Sequence, residues 1–301
     1  MKTILKLVII SSVLLASCNS DETIVKEPEI GYSPYCNKVY EYVPAPGQFI
    51  NNPQAGFQNI TTENAAVEYA QNRLKNSEFV SLGGFGGYIV VGFNHSINNL
   101  SSFHGYDFSI KGNQYENNSE PAVVWVMQDV NKNGLPDDIW YELRGSEYGK
   151  IETVSDYEIT YYKPQNVREN VRWTDNKGNN GYIEINEYNT QDYYYPIWIT
   201  AENYTLKGVR LKSKGYSDNE TGIYYTGNYD WGYADNYGQE MIPAEKNKNL
   251  FKINNAVKSD GTAANLQYID FVKIQNALNT IGLNGIGESS PEILSVEDEN
   301  I

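Results

Sequence analysis

Ala122-Val123-Val124-Trp125-Val126-Met127 is the run that decides the fold class. β-branched and aromatic residues fill it, and Gln128-Asp129 closes it, which is the composition of a β-strand. Working outward, the same grammar repeats. Strands are expected near 88–93 (Tyr-Ile-Val-Val-Gly-Phe), 106–110, 139–143, 157–162, 181–185, 204–211, 222–226 and 267–274, separated by clusters of Gly, Asn, Asp and Ser. Val39-Tyr40-Glu41-Tyr42-Val43 alternates like a strand and runs into Pro44-Ala45-Pro46-Gly47. One helix is expected: Thr61 or Thr62 caps it, Ala66, Tyr69, Ala70 and Leu74 share a face, and it fades near Asn76. Strand spacing is irregular with no fixed period, which argues against a propeller or solenoid. The expectation is a mainly β fold, a jelly-roll-like β-sandwich with one short N-terminal helix, spanning residues 38–281. Residues 282–301 turn polar and acidic and read as a trailing tail.

Gly83-Gly84-Phe85-Gly86-Gly87 invites comparison with a phosphate-binding loop. The third fingerprint glycine would fall on Ile89, and the run precedes a strand rather than a helix. It reads as a flexible turn.

The N-terminus carries Lys2 and Lys6, an apolar run from Leu5 through Leu15, and then Leu15-Ala16-Ser17-Cys18. That run has the length of a signal h-region, too short for a permanent span. Small residues ahead of a cysteine match the lipobox of bacterial lipoproteins. Residues 1–17 are therefore expected to be a signal peptide, with Cys18 lipidated as the anchor in a membrane. Several acyl chains on one residue anchor stably, at about 0.8 kcal/mol per buried methylene. Residues 18–37 read as anchor and tether, since Ser20-Asp21-Glu22 and Lys26-Glu27-Pro28-Glu29 are too polar to fold. An acidic patch directly after the cysteine resembles the surface-export signal of Bacteroidota lipoproteins, which points to the outer membrane and its outward face.

Losing Lys2 and Lys6 with the signal takes the formal charge from −15 to −17. A chain this acidic is not expected to bind nucleic acid through phosphates, and it suits a protein that collects cations. Cys18 and Cys36 are the only cysteines, so with Cys18 lipidated Cys36 has no partner and reads as a small buried residue.

Asp129-Val130-Asn131-Lys132-Asn133-Gly134-Leu135-Pro136-Asp137-Asp138 is the most specific internal motif. Oxygen-bearing side chains at positions 1, 3 and 5 with glycine at 6 open a calcium loop of the EF-hand type. Asp129, Asn131, Asn133, the Leu135 carbonyl and Asp137 are the expected ligands. Position 12 is Trp140, so Asp138 or Glu142 must complete the shell. The segment resembles the calcium loops of thrombospondin type 3 repeats. The expected cofactor is calcium, in a structural role.

His95 and His104 are the only histidines, which excludes a zinc site of three or more, and both read as solvated loop residues. Neither has a nucleophile-elbow motif to pair with. Carboxylates are plentiful, but no spacing singles out a hydrolytic pair. Aromatic residues crowd into 188–237. The stretch Asn228 to Gly238 is rich in Gly, Asn and Asp and reads as a long loop presenting Tyr229, Trp231, Tyr233, Asp235, Asn236 and Tyr237 to a ring-shaped ligand. Trp173, at the head of the polar loop 173–181, and His104 are placed on the same rim.

Pro44-Ala45-Pro46-Gly47-Gln48-Phe49, Ser119-Glu120-Pro121, Trp125-Val126-Met127-Gln128-Asp129, Trp140-Tyr141-Glu142-Leu143, Trp231 through Asn236 and Ile269-Asp270-Phe271-Val272-Lys273 together resemble a family of Bacteroidota cell-surface lipoproteins, some labelled PKD-containing. The resemblance covers about 39–290 and implies a single module. It further implies partnership with TonB-dependent outer-membrane transporters, including ones for corrinoids. The leading expectation is a calcium-stabilised surface lipoprotein that captures a glycan or corrinoid-like nutrient for such a transporter. A glycan-active hydrolase and a structural adhesin are the alternatives.

Overall fold

The computed structural model describes residues 31–242, 247–282 and 287–301. The signal sequence and Cys18 lie outside the described residues. No described helix is long and apolar enough to cross a membrane.

The chain is mainly β and sandwich-like, with a single α-helix among the described residues. The run Ala122–Met127 forms a central strand. It pairs antiparallel with Tyr268–Asn276 on one side and Tyr141–Leu143 on the other. The sheet continues from Tyr268–Asn276 to Tyr88–Asn98 and then Lys38–Val43, and from Tyr141–Leu143 to Ala256–Val257, giving six strands. A four-stranded sheet orders Asn203–Arg210, Val154–Tyr162, Val171–Asp175 and Asn180–Ile183. A three-stranded sheet orders Lys248–Phe251, Phe108–Lys111 and Ser295–Asp298.

The helix runs Glu63–Lys75, and the Thr62 side chain accepts the Ala65 N–H at 3.2 Å. Its buried residues are Ala66, Tyr69, Ala70 and Leu74. Three apolar clusters hold the layers. The largest joins the helix face to Val91, Val124, Val126, Ile269 and Val272 of the six-stranded sheet. A second places Tyr157, Ile159 and Tyr161 against Phe85, Tyr194 and Tyr195. The third sets Val123, Val209 and Leu278 around Tyr229 and Tyr233.

Two boundary expectations are corrected. Chain order begins before residue 38: the Cys36 N–H donates to the Val296 carbonyl at 2.9 Å, and Tyr35 bridges to Glu297. Cys36 is half-buried, and desolvation pushes its thiol up to about 12. The C-terminal stretch is not a trailing tail. Glu292–Ile293 pairs with Val80–Ser81, and Ser295–Asp298 pairs with Phe108–Lys111. Ile293 and Val296 are fully buried, and Glu297 and Asp298 beside Val296 are paired. Lys248 Nζ stands 2.7 Å from Glu297, and Asp298 takes His95 Nε2 at 2.8 Å. His95 is accordingly a half-buried residue of strand Tyr88–Asn98 whose ring is paired with Asp298, and not a solvated loop histidine.

Candidate functional site

The Asp129 loop joins Ala122–Met127 to Tyr141–Leu143 and lies at the surface. Its side chains curl inward through short turns, with Lys132 and Gly134 at positive φ. Asp129 accepts the N–H groups of Asn133 (3.1 Å) and Gly134 (2.8 Å). Asp137 takes the side-chain amides of Asn131 (3.0 Å) and Asn133 (2.9 Å), and these donors hold its carboxyl below the usual range. Asn131 and Asn133 turn their amide nitrogens to Asp137, while their Oδ1 atoms accept the Asn133 and Leu135 N–H groups, and the expected Leu135 carbonyl accepts the Asp137 N–H. Two expected ligands stand apart from that net. Asp138 Oδ2 folds back onto the Val130 and Asn131 N–H groups. Glu142 sits on strand Tyr141–Leu143 opposite Trp125, where burial pushes its carboxyl up to about 7.

The aromatic loop is mostly core. Tyr229, Tyr233, Asp235 and Asn236 are each 2 % exposed or less, so they offer nothing to a docking ligand. The loop's polar groups are spent on one another. Asn236 Oδ1 accepts the Tyr229 N–H (2.9 Å), Asn236 Nδ2 donates to the Tyr229 carbonyl (2.9 Å), and Tyr233 Oη accepts the Glu147 N–H (3.0 Å). Trp231 and Tyr237 alone of that set reach the surface. Trp173 is half-buried on strand Val171–Asp175, packed on the second apolar cluster rather than carried by a loop. His104 is exposed at φ 50° beside Phe103.

Glu240 shows how tightly this region is closed. Its Oε1 accepts the Gly232 N–H at 3.2 Å, Oε2 has no partner, and burial pushes the carboxyl up to about 7. A folded pKa raised above the unfolded value contributes stability that is complete below about 4.5 and is lost as pH rises toward 7. Glu240→Gln is therefore expected to match the parent in thermal melts at pH 5 and to exceed it at pH 8, by on the order of 2 kcal/mol. Equal stabilities at pH 8 would rule this out.

Two further groupings emerge that sequence spacing does not reveal. Glu120, Asp235 and Glu292 come together from three distant segments, with one carboxylate oxygen of each within 4.8 Å of the others. Elsewhere, a cleft of about 660 Å³ opens between Asn51–Gln54 and Tyr188–Tyr193. Tyr188 is 71 % exposed at its edge. The cleft floor is rigid: Asn51 Nδ2 donates to the Tyr193 and Tyr195 carbonyls, both at 2.8 Å, and Asn52 Nδ2 donates to Asn189 Oδ1 at 2.9 Å. Gln191 Nε2 donates to the Gln48 and Ile50 carbonyls, while its Oε1 is buried without a partner. The Tyr-rich composition of 188–195 was the available signal, but only the fold sets Asn51–Gln54 opposite it.

No family model and no characterised protein matches this chain.

Proposed function

We propose that this chain is a lipid-anchored surface protein that captures a glycan in the Asn51–Tyr193 cleft and passes it to an outer-membrane transporter, with calcium stiffening the Asp129 loop. The observation that carries the reading is the exposed Tyr188 ring at the edge of a cleft walled by the side-chain amides of Asn51, Asn52, Gln54 and Asn189. A sugar offers complements to both: a C–H face that lies on an aromatic ring and hydroxyls that bond to amides. The cleft volume falls within the usual range for small-ligand sites. Capture is favoured over hydrolysis because Asp192 is the one acid lining the cleft among the described residues, whereas glycosidases use two carboxyl groups. The Asp129 loop supports the calcium part through the spacing of Asp129, Asn131, Asn133 and Asp137 and through the glycine turn that closes it back on Asp129.

Glycan-array binding by the full chain in detergent is the test. Tyr188→Ala is expected to weaken a captured glycan at least about tenfold, as loss of a single stacking anchor does. Trp231→Ala should leave it unchanged. Binding that depends on Trp231 and ignores Tyr188, or capture of corrinoids alone, would overturn the assignment.

A further inference from the structure

Burying ionised carboxylates without a counter-charge is among the costliest arrangements a fold can contain. Glu120, Asp235 and Glu292 form such an arrangement. Asp235 is fully buried and Glu292 is 2 % exposed. Glu120 keeps an edge at the surface, but its carboxyl is enclosed. The bonds that hold the three come from neutral donors. Ser290 N–H reaches Glu120 Oε1 (2.8 Å), Asn113 N–H and Glu292 N–H reach the two oxygens of Asp235 (3.0 Å each), and Asn113 Nδ2 reaches Glu292 Oε2 (3.0 Å). The charges acting on Glu120 and Glu292 are each other's and those of Asp235 and Glu288, all negative. Desolvation and this mutual repulsion push both carboxyls well above the usual range.

Oxygen atoms outside the triad point the same way. Gln114 is 1 % exposed, and its Oε1 has no donor. A Cβ added to Gly112 would run into both Asp235 Oδ1 and Gln114 Oε1, the latter 2.6 Å away, so the unpartnered Gln114 oxygen and the Asp235 carboxylate pack against the same bare Cα. On the other side, a crevice of about 10 Å³ touches Glu120 and is lined by Thr226, Thr280, Glu288 and Ser289. Thr226 Oγ1, Thr280 Oγ1, Glu288 Oε2 and Ser289 Oγ are all buried without partners, as is Glu292 Oε1. Buried polar atoms are rarely left unmatched, and here the orphans are gathered around one group of carboxylates. The crevice volume is about what one water or small ion needs.

We propose that Glu120, Asp235 and Glu292, supplemented by Gln114 Oε1 and the oxygens of the adjoining crevice, form a buried site for calcium, separate from the Asp129 loop. An all-oxygen set with three carboxylates selects a hard divalent cation over zinc or copper. Calcium tolerates irregular shells of six to eight oxygens at 2.3–2.6 Å, whereas magnesium demands a near-ideal octahedron. Oxygens at that range from one ion stand up to about 5 Å apart, so the present spread of 4.8 Å fits a single shell. The ion would tie the segment before Ala122–Met127 to residue 235 and to the C-terminal strands. It would act as a staple, not a catalyst.

The test uses the full chain in detergent, stripped of metal and titrated with calcium chloride by calorimetry. Asp129→Ala with Asp137→Ala disables the exposed loop, and that double variant is expected to retain one calcium. Adding Glu292→Gln, nearly isosteric, should weaken the remaining binding at least about tenfold with an unchanged far-UV spectrum. Independently of any variant, a crystal of the parent grown in manganese chloride should show an anomalous peak about 2–2.6 Å from the three carboxylates. No calcium uptake by the double variant, uptake indifferent to Glu292→Gln, or a manganese-grown crystal without that peak would each overturn the proposal.

Discussion

Deleting Ile293–Ile301 is expected to abolish cooperative folding. The segment looks expendable, yet its main chain supplies an entire edge of the three-stranded sheet. Beyond the ladder, Leu294 N–H donates to the Lys111 carbonyl, Asp298 N–H to Pro34, Glu299 N–H to Asp107, and the Val296 carbonyl accepts Cys36 N–H. Each such bond contributes about 1 kcal/mol, and exposing its buried partner costs more. Ile293 and Val296 are fully buried, and each contributes roughly 1.5–3 kcal/mol of apolar burial. His95 would also lose Asp298, and Lys248 would lose Glu297 and Glu299. Together these losses are comparable with the whole stability of an ordinary domain, about 5–15 kcal/mol. The truncated chain should give no sharp melting transition and should be recovered as aggregate. Removing Ile301 alone, which is 59 % exposed, should change nothing measurable. A soluble Ile293–Ile301 deletion with a melt close to that of the parent would mean that these strands contribute little to folding.

The same segment shows where sequence reading succeeds and where it stops. Patterns confined to one element were legible. Ala122–Met127 is a strand at its expected bounds, and the helix has its cap on Thr62 and its four expected buried residues. Patterns whose meaning depends on a distant partner were not. Ser295-Val296-Glu297-Asp298 is half acidic and reads as solvated, but its acids meet Lys248 and His95 from other strands. Tyr229–Tyr237 reads as an exposed loop by composition. It is buried because Asn236 and Asn249 satisfy its backbone, and Asn249 stands on a strand the sequence pattern did not reveal. The turn of the Asp129 loop was legible because its Asn, Asp and Gly spacing acts locally, whereas the placement of Asp138 and Glu142 depends on bonds at its far end and on the next strand. The Glu120–Asp235–Glu292 cluster had no local signature at all, since its members share no element. The amide-lined cleft was half legible, through its tyrosines.

Gly87→Ala is expected to lower the stability of the chain sharply. The Gly83–Gly87 run, which reads as a flexible turn, is a buried joint. Gly86 N–H donates to the Asn276 carbonyl (3.0 Å) and Asn276 N–H to the Gly87 carbonyl (2.9 Å), while Ala45 N–H donates to the Leu82 carbonyl (3.0 Å) across the same spot. A Cβ on Gly87 would overlap the Leu82 carbonyl oxygen and stand 2.5 Å from the Ala45 nitrogen. Both obstacles are main chain, so no rotamer change relieves the clash. Relief requires separating the Pro44–Gly47 segment from Leu82, at the seam between the first two apolar clusters. Ordinary overpacking costs about 1–3 kcal/mol, and a clash with paired backbone belongs at or beyond that range, about 4 kcal/mol. For a chain of this size the melting temperature should fall by roughly 8–16 °C. Gly149→Ala separates this cause from glycine's conformational freedom. Gly149 has φ 73° with open space around it, so its alanine variant meets only the left-handed penalty, about 1–2 kcal/mol. Thermal melts of the two variants should therefore differ by at least about 2 kcal/mol. If Gly87→Ala melts with Gly149→Ala, the backbones at this joint have room to part, and close approach does not explain the glycine run.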